Sequence, residues 1–592
     1  MTNNHTKPLV AYFCMEYGLD NSFKLFSGGL GILAGDLIKA AFDEKYPMVA
    51  VGILWRQGYT NQTIGENGLP VDSFPEYRYP FLKDAGVTVT VSIRDTPVKC
   101  KVWLCDKFNN IPLYLLDPFL PNNPYALISG QLYGWFSEER LAQEIILGIG
   151  GVKALKALGI EPDIYHFNEG HAVLAGLELI KQEIGAQEKD ISEKEQAEQT
   201  KIDTHKQQEN ENDVETEASP KNDDNPLKSI CPKFDAMSDD ARLPIFEDAY
   251  NTIRNKIIFT THTPVMAGNE VHDHNTIFYT GANNGFRKHE LTILGGDPFN
   301  MTVAGLNLSR LANAVAELHA ETANTMWATV KMPSKIIAVT NGVHNGTWQD
   351  KTIAETFKDQ KALWSQHQIL KQELVDEIAS RNHVTINPNG LIIGFARRAA
   401  PYKRSDLIFR DIEKISPFLK SGKIQLVFSG KAHPNDIAGK HIVSNLYQMS
   451  QSFPNSVVFL QNYDMQIGKL MTRGCDVWLN NPIRPMEASG TSGMKAAMNG
   501  VLNLSVLDGW WPEGCIHDVN GWQIGNGYEG EDHDDIDAES LYQILSETVV
   551  PLFYESKNKW IGMMQNSIEM SSEQFSAARM LADYVKKMYQ PV

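Results

Sequence analysis

Nine residues, Glu487-Ala-Ser-Gly-Thr-Ser-Gly-Met-Lys495, combine the types needed to hold an anion and to make a covalent bond. The string follows a strand-like Val-Trp-Leu-Asn run at 477–480 and continues into Lys495-Ala-Ala-Met-Asn499. A strand, a loop of small residues and a helix start expose backbone N–H groups together, and such a turn suits phosphate. Gly490 and Gly493 allow close backbone approach, while Ser489, Thr491 and Ser492 add hydroxyl donors. A lysine on the first helical turn, beside a phosphate pocket, is placed to bond an aldehyde cofactor. A lone G-x-x-K is usually a surface lysine after a tight turn. The full string is far rarer than its parts.

Four other segments carry chemistry. In Gly394-Phe-Ala-Arg-Arg398-Ala-Ala-Pro-Tyr-Lys403-Arg404, four basic residues lie within eight positions, directly after an apolar strand. Ligands bind at the carboxyl ends of strands in open α/β sheets, and an arginine fork with a lysine suits phosphate. On composition alone, a solvated basic turn is an equal reading. Ser27-Gly-Gly-Leu-Gly31-Ile-Leu-Ala-Gly-Asp36 is rich in N–H donors at a helix start but lacks dinucleotide-binding spacing. It indicates an anion site or tight packing. His262, in Phe259-Thr-Thr-His262-Thr-Pro264, ends a strand before a proline turn, and Asn168-Glu-Gly-His171 repeats the arrangement. A satisfied structural histidine is the commoner outcome for both. Neither has metal-ligand spacing, so no metal is expected.

The elements that must position these residues are those of an α/β protein. Short apolar runs at 9–13, 47–53, 257–261, 391–395 and 424–429 alternate with helical patterns and Gly-rich turns, which points to parallel sheet. With 592 residues the chain exceeds one core. A polar stretch at 382–389 suggests a boundary between domains 1–385 and 386–592. The final helix, 575–588, places Ala577, Leu581, Tyr584, Val585 and Met588 on one face and should pack back across that junction. Segment 186–225 has no aromatic, three large aliphatics and 13 acidic against 5 basic side chains, a net −8. Such composition predicts a disordered acidic insert interrupting a βα unit.

The formal charge of −18 argues against nucleic acid and anionic membrane as partners. An anionic substrate would then need the clustered Arg and Lys described above. Six scattered cysteines read as free thiols in a reducing compartment. No signal-like start and no membrane-length apolar run is present, so a cytoplasmic protein is expected.

Taken in order, these motifs resemble the α-glucan phosphorylases, in particular the shorter forms of bacteria and archaea. The likeness includes Arg56-Gln-Gly-Tyr59, Thr340-Asn-Gly-Val-His344, Ser429-Gly-Lys-Ala-His-Pro434 and segments 11–15, 27–36, 168–171, 259–268, 300–327, 394–404 and 457–511. It covers most of the chain outside the acidic insert and the last 60 or so residues. The resemblance implies a glycosyltransferase B fold, with two Rossmann-like domains facing across a cleft. It also implies a pyridoxal 5'-phosphate enzyme performing reversible phosphorolysis of terminal α-1,4-linked glucose to α-D-glucose 1-phosphate with retention.

Lys495 matches the lysine that holds the cofactor. Thr491 and Ser492 match loop donors to the cofactor phosphate, as Arg397 and the Gly29 amide do. Arg398 and Lys403 match the pair that binds substrate phosphate. Gly28, Gly29 and Leu30 match helix-start amides near that phosphate and the glucosyl unit. His262, Asn341, Glu487, Ser489 and Gly490 match residues that hold the sugar. In the family the cofactor phosphate is the acid/base group, so Lys495, Arg398, Lys403 and His262 form the implied catalytic set.

Ala399 and Pro401 depart from the pattern, where a bulkier aromatic and Thr are usual. The chain starts almost directly at its first strand, so allosteric control by phosphorylation or nucleotide is expected to be absent. The implied partners are α-1,4-glucan and inorganic phosphate, and a homodimer is among the assemblies left open. A nucleotide-sugar-dependent glucan synthase shares the fold but has no use for Lys495. A non-catalytic glucan-binding relic would not retain Lys495, Arg398, Lys403 and Glu487 together.

Overall fold

Runs of four to six apolar residues with both faces buried, such as Val10–Phe13, Met48–Ile53 and Leu391–Ala396, are the inner strands of parallel sheet. A computed structural model describes residues 7–134, 137–207, 229–331 and 334–590 and contains two such sheets. The first has nine strands, ordered Lys335–Ala338, Leu311–Ala314, Ile257–Thr260, Ile164–Asn168, Val10–Phe13, Met48–Ile53, Leu113–Asp117, Thr96–Cys105 and Lys83–Ile93. Its first seven are parallel, and the last two add an antiparallel edge. The second has six parallel strands, ordered Val457–Leu460, Ile424–Ser429, Leu391–Ala396, Val477–Asn480, Leu502–Val506 and Gly521–Ile524. Numbered along the chain this is 3-2-1-4-5-6, the order of a dinucleotide-binding sheet.

Several elements tie the two lobes together. Helix Gln360–Asn382 packs on Met465–Gly474 of the second lobe, and Ile353 and Leu363 join the second sheet's core. The chain thus changes lobes before the polar stretch at 382–389, where composition had suggested the boundary. That stretch is instead a connection inside the second lobe. At the other end, helix Ala577–Lys587 returns to the first lobe and packs on Gly29–Asp43. Leu581, Tyr584, Met588 and Tyr589 are buried in the first lobe's core, and His166 Nδ1 meets the Tyr589 hydroxyl at 2.8 Å. Hairpin Asn61–Ile64/Pro70–Ser73 reaches the opposite way, where the Gln62 side chain bonds both the N–H (2.9 Å) and carbonyl (3.2 Å) of Ala432.

The acidic segment departs from expectation. Helix Leu174–Gln207 runs without a break through the first part of 186–225. The remainder of that segment, 208–225, lies outside the described residues. Buried Leu174–Ile184 starts the helix, and good helix formers with pairs such as Lys189–Glu193 (3.7 Å) extend it into solvent. The six cysteines are free thiols. Among the described residues no helix is long and apolar enough to cross a membrane.

Candidate functional site

In each sheet the direction of chain progression reverses beside one strand, and the loops leaving that strand and its neighbour part to form a crevice. In the second sheet the reversal falls between Leu391–Ala396 and Val477–Asn480. The first strand delivers Arg397 and Arg398, and the second leads to Glu487 and the glycine-rich string. In the first sheet it falls at Val10–Phe13, which delivers Glu16, and at Ile164–Asn168, which delivers Glu169. The two crevices share one cavity of about 530 Å³. Its lining includes every residue that the resemblance assigns to the site: Gly28, Gly29, Leu30, His262, Asn341, Arg397, Arg398, Lys403, Glu487, Ser489, Gly490, Thr491, Ser492 and Lys495. His171 and Arg404 are not part of it: His171 Nε2 accepts from the Met15 N–H at 3.1 Å, and Arg404 pairs with Asp534 and Asp537.

The string behaves as its composition demands. Gly490 has φ 80°, a left-handed turn that admits glycine easily, and helix Thr491–Ala497 starts right after it. Lys495 therefore lies one turn into that helix rather than on its first turn. The lysine is 7% exposed, and its Nζ is 3.9 Å from the centroid of the Trp348 ring. Among the described residues its Nζ has no hydrogen-bond or ion-pair partner. Burial pushes its amine down to about 8, against an opposing attraction from Asp36. Such an amine is deprotonated readily enough to attack an aldehyde near neutrality.

Across the crevice the basic cluster has a counter-ion. Glu487 accepts from both Arg397 and Lys403, and Arg397 also donates to Asn480. Burial would raise the Glu487 carboxyl, but Arg397 and Lys403 outweigh it and hold the group at about 2. Arg398 stays turned to the open cavity. Burial disfavours its charge, but Tyr402, Tyr59 and Glu16 more than offset that. At Ala399 and Pro401, the two departures from the family pattern, the backbone makes ordinary turns. Ala399 N–H donates to Lys431 O at 2.9 Å, and Pro401 opens a short turn ending at Lys403.

Opposite, helix Gly29–Asp43 aims its first-turn N–H groups at the cavity. Glu16 holds that turn by accepting from Ser27 N (2.6 Å), Gly28 N (3.4 Å) and the Tyr133 hydroxyl (2.8 Å). His262 Nε2 meets Asn168 Oδ1 at 2.7 Å, and burial with nearby His319 lowers the imidazole to about 3, so it is neutral. Glu169, at φ 78°, accepts from the His262 N–H at 2.7 Å and fixes that loop. Asn341 Oδ1, Ser489 Oγ and Arg397 Nε are buried without a hydrogen-bond partner. Three orphaned polar atoms in one cavity, Asn341 from the first lobe and the other two from the second, mark a place for a polar ligand.

Sequence reading missed Glu16, Asp36, Tyr59, Tyr133, Glu169 and Trp348. Asp36, Tyr59 and Glu169 stand inside the motifs at 27–36, 56–59 and 168–171 without a role of their own, and Glu16, Tyr133 and Trp348 are lone residues without informative local spacing. The signal that could have found Glu16 and Glu169 is their position just after apolar strands. Glu144, Glu270 and His272 are close enough to hold a metal, but Arg140 lies 3.1 Å from Glu144 and 3.4 Å from Glu270 and supplies the positive charge there.

A family profile described as carbohydrate phosphorylase matches residues 349–513. The chain is 36% identical to the maltodextrin phosphorylase of Thermococcus litoralis, over 98% of this chain and 70% of that protein. It is 32% identical to the glycogen phosphorylase of Mycobacterium bovis, over 98% and 71%. It is 31% identical to the glycogen phosphorylase of Aquifex aeolicus, over 100% and 87%.

Proposed function

This chain belongs to the carbohydrate phosphorylase family, and on that premise we propose that it carries out reversible phosphorolysis of α-1,4-glucan. The terminal glucosyl unit passes to inorganic phosphate and gives α-D-glucose 1-phosphate with retention. The observation that carries this reading is the shared cavity, where a buried, deprotonation-prone Lys495 faces the basic cluster of Arg397, Arg398 and Lys403. Relatives named for maltodextrin and for glycogen support a glucan substrate.

The site fits pyridoxal 5'-phosphate. Lys495 would attach it, and Thr491, Ser492, Arg397 and the Gly29 amide would hold its phosphate. The orphaned Arg397 Nε and the open helix start support this assignment. When bound, the cofactor supplies a phosphate that can exchange a proton with the substrate phosphate.

The chain's own residues do the rest. Arg398, unpaired by any carboxylate among the described residues and open to the cavity, takes the incoming phosphate. Lys403 joins it by leaving Glu487, which keeps the two cations from repelling each other until substrate arrives. Like-charged phosphates can approach only between such cations and the amides of Gly28, Gly29 and Leu30. The freed Glu487 carboxylate, Asn341, Ser489 and the Gly490 backbone then bind sugar hydroxyls, satisfying the orphaned atoms. His262 is neutral, so its imidazole orients hydroxyls, and its backbone carbonyl stabilises positive charge developing on the sugar.

The two lobes act as separate domains, and the reaction takes place in the cytoplasm. The test is direct. The protein and Lys495→Ala are incubated with maltodextrin and phosphate, and glucose 1-phosphate is assayed. The parent produces it and the variant does not. Activity surviving in the variant overturns the cofactor assignment.

A further inference from the structure

Asp36 has no exposed surface, and both its oxygens accept from Trp348 Nε1, at 3.0 and 2.9 Å. A buried carboxylate needs a compensating cation or donors, because desolvation disfavours its charge. The basic groups around it are Lys39, His344, Lys469 and Lys495. Lys39 Nζ is engaged by Leu19 O (2.7 Å) and Thr347 Oγ1 (2.9 Å), and His344 by Asp43 (2.8 Å) and Thr347 (2.8 Å). The Lys469 amine is farther off, 5.9 Å from the Trp348 ring centroid. Only Lys495 lies close against the indole that Asp36 holds, and that amine has no other partner among the described residues.

The backbone is locked as well. Asn499 Nδ2 donates to Trp348 O (3.1 Å) and to Lys495 O (2.8 Å), and Arg473 Nε donates to Trp348 O (3.0 Å). Trp348 and Lys495 are therefore tied through their main chains, while the indole, packed among Ile32, Met465 and Met494, has its N–H held by Asp36. A carboxylate on the indole N–H also makes the ring face more electron-rich, which favours a cation above it. Asp36 belongs to helix Gly29–Asp43, whose first turn faces the cavity, so one rigid element serves both ends of the site.

We infer that Asp36 is a positioning residue for Lys495, holding Trp348 as the platform that sets where the amine stands. The inference rests on the reading of Lys495 as the cofactor lysine. Loss of the Asp36–Trp348 contact lets the indole turn, and Lys495 then holds its cofactor less firmly.

The test uses holoenzyme and hydroxylamine, which competes with Lys495 for the cofactor aldehyde, followed by cofactor absorbance. Asp36→Asn and Trp348→Phe each break the same contact, so each releases cofactor about tenfold faster than the parent. The double variant releases it no faster than either single one, because there is a single contact to lose. A purely structural Asp36 would lower the melting temperature and leave the release rate alone. Parental release rates in both single variants, or multiplied effects in the double, overturn the inference. Should Asp36→Asn fail to fold, Trp348→Phe released at the parental rate does the same. Purified parent without pyridoxal phosphate, or Lys495→Ala that retains it in covalent linkage, sinks the underlying reading instead.

Discussion

Glu487 is shared by two cations in the free protein and, in the proposed reaction, by sugar hydroxyls in the complex. The same carboxylate therefore competes with phosphate for Arg397 and Lys403. Glu487→Gln removes the competitor and the sugar contact together. We expect inorganic phosphate to bind the glucan-free variant more tightly, by roughly 1 kcal/mol, while the Michaelis constant for glucan rises about tenfold or more. Calorimetric phosphate titration and steady-state kinetics check the two halves. Asp508, which accepts from the Glu487 N–H at 2.9 Å, gives a pH prediction. Burial, then the Glu487 charge, pushes its carboxyl up to about 7. Between its ordinary value near 3.8 and about 7 the folded protein keeps a proton that the unfolded chain has released. This contribution is present in full below pH ~4 and is lost as pH rises through about 7. In Asp508→Asn the decline disappears, so melting temperatures between pH 5 and 8 should be flatter than the parent's by several degrees.

At the level of elements, the strands were legible because a run buried on both faces must be continuously apolar, as Leu391–Ala396 and Ile424–Ser429 are. The motifs were legible because phosphate chemistry concentrates residues in one loop. Trp348 was not, since it stands alone in the chain, and the roles of Asp36 and Glu169 were not, since their motifs give no sign of partners that lie on distant elements. Helix Leu174–Gln207 was misjudged for a different reason: its composition excludes a buried face, but propensity and i,i+4 pairs extend a helix once the buried Leu174–Ile184 has nucleated it. Helix Gly29–Asp43 shows how closely elements must approach. A Cβ at Gly35 would meet the Gly18 carbonyl oxygen at 2.2 Å, and backbone cannot swing away as a flexible side chain can. Gly35→Ala must therefore push the helix outward. We expect a stability loss of about 1–3 kcal/mol and a phosphate Michaelis constant raised several-fold, as the first-turn amides retreat. Thermal melting and phosphate-dependent kinetics report the two effects.

For the molecule as a whole, the cavity exists only while two lobes keep their spacing, since Arg398 and the first turn of Gly29–Asp43 come from opposite sheets. The C-terminal helix holds the rear of the cleft, where Arg579 donates to the carbonyls of Thr340 and Asn341 at 2.8 Å each. The hairpin holds the front. Besides the paired bonds of Gln62 to Ala432, Ile64 N–H donates to Gln461 Oε1 (2.9 Å), Lys440 pairs with Asp72 (2.6 Å), and Lys431 Nζ donates to Thr60 O (2.8 Å). Gln62 is buried, so its loss leaves an N–H and a carbonyl of the second lobe unsatisfied, at a cost of about 1–3 kcal/mol. That cost falls on the closed arrangement and not on either core. Gln62→Ala should therefore leave the far-ultraviolet spectrum unchanged but lower kcat and raise the Michaelis constants for phosphate and glucan together, each by about three- to tenfold. Gln62→Glu keeps an acceptor for Ala432 N–H but offers no donor to its carbonyl, so its kinetics should fall between the parent and Gln62→Ala. If Gln62→Ala instead changed one Michaelis constant alone, the hairpin would be a wall of a single subsite and not the clasp that brings two lobes to one reaction.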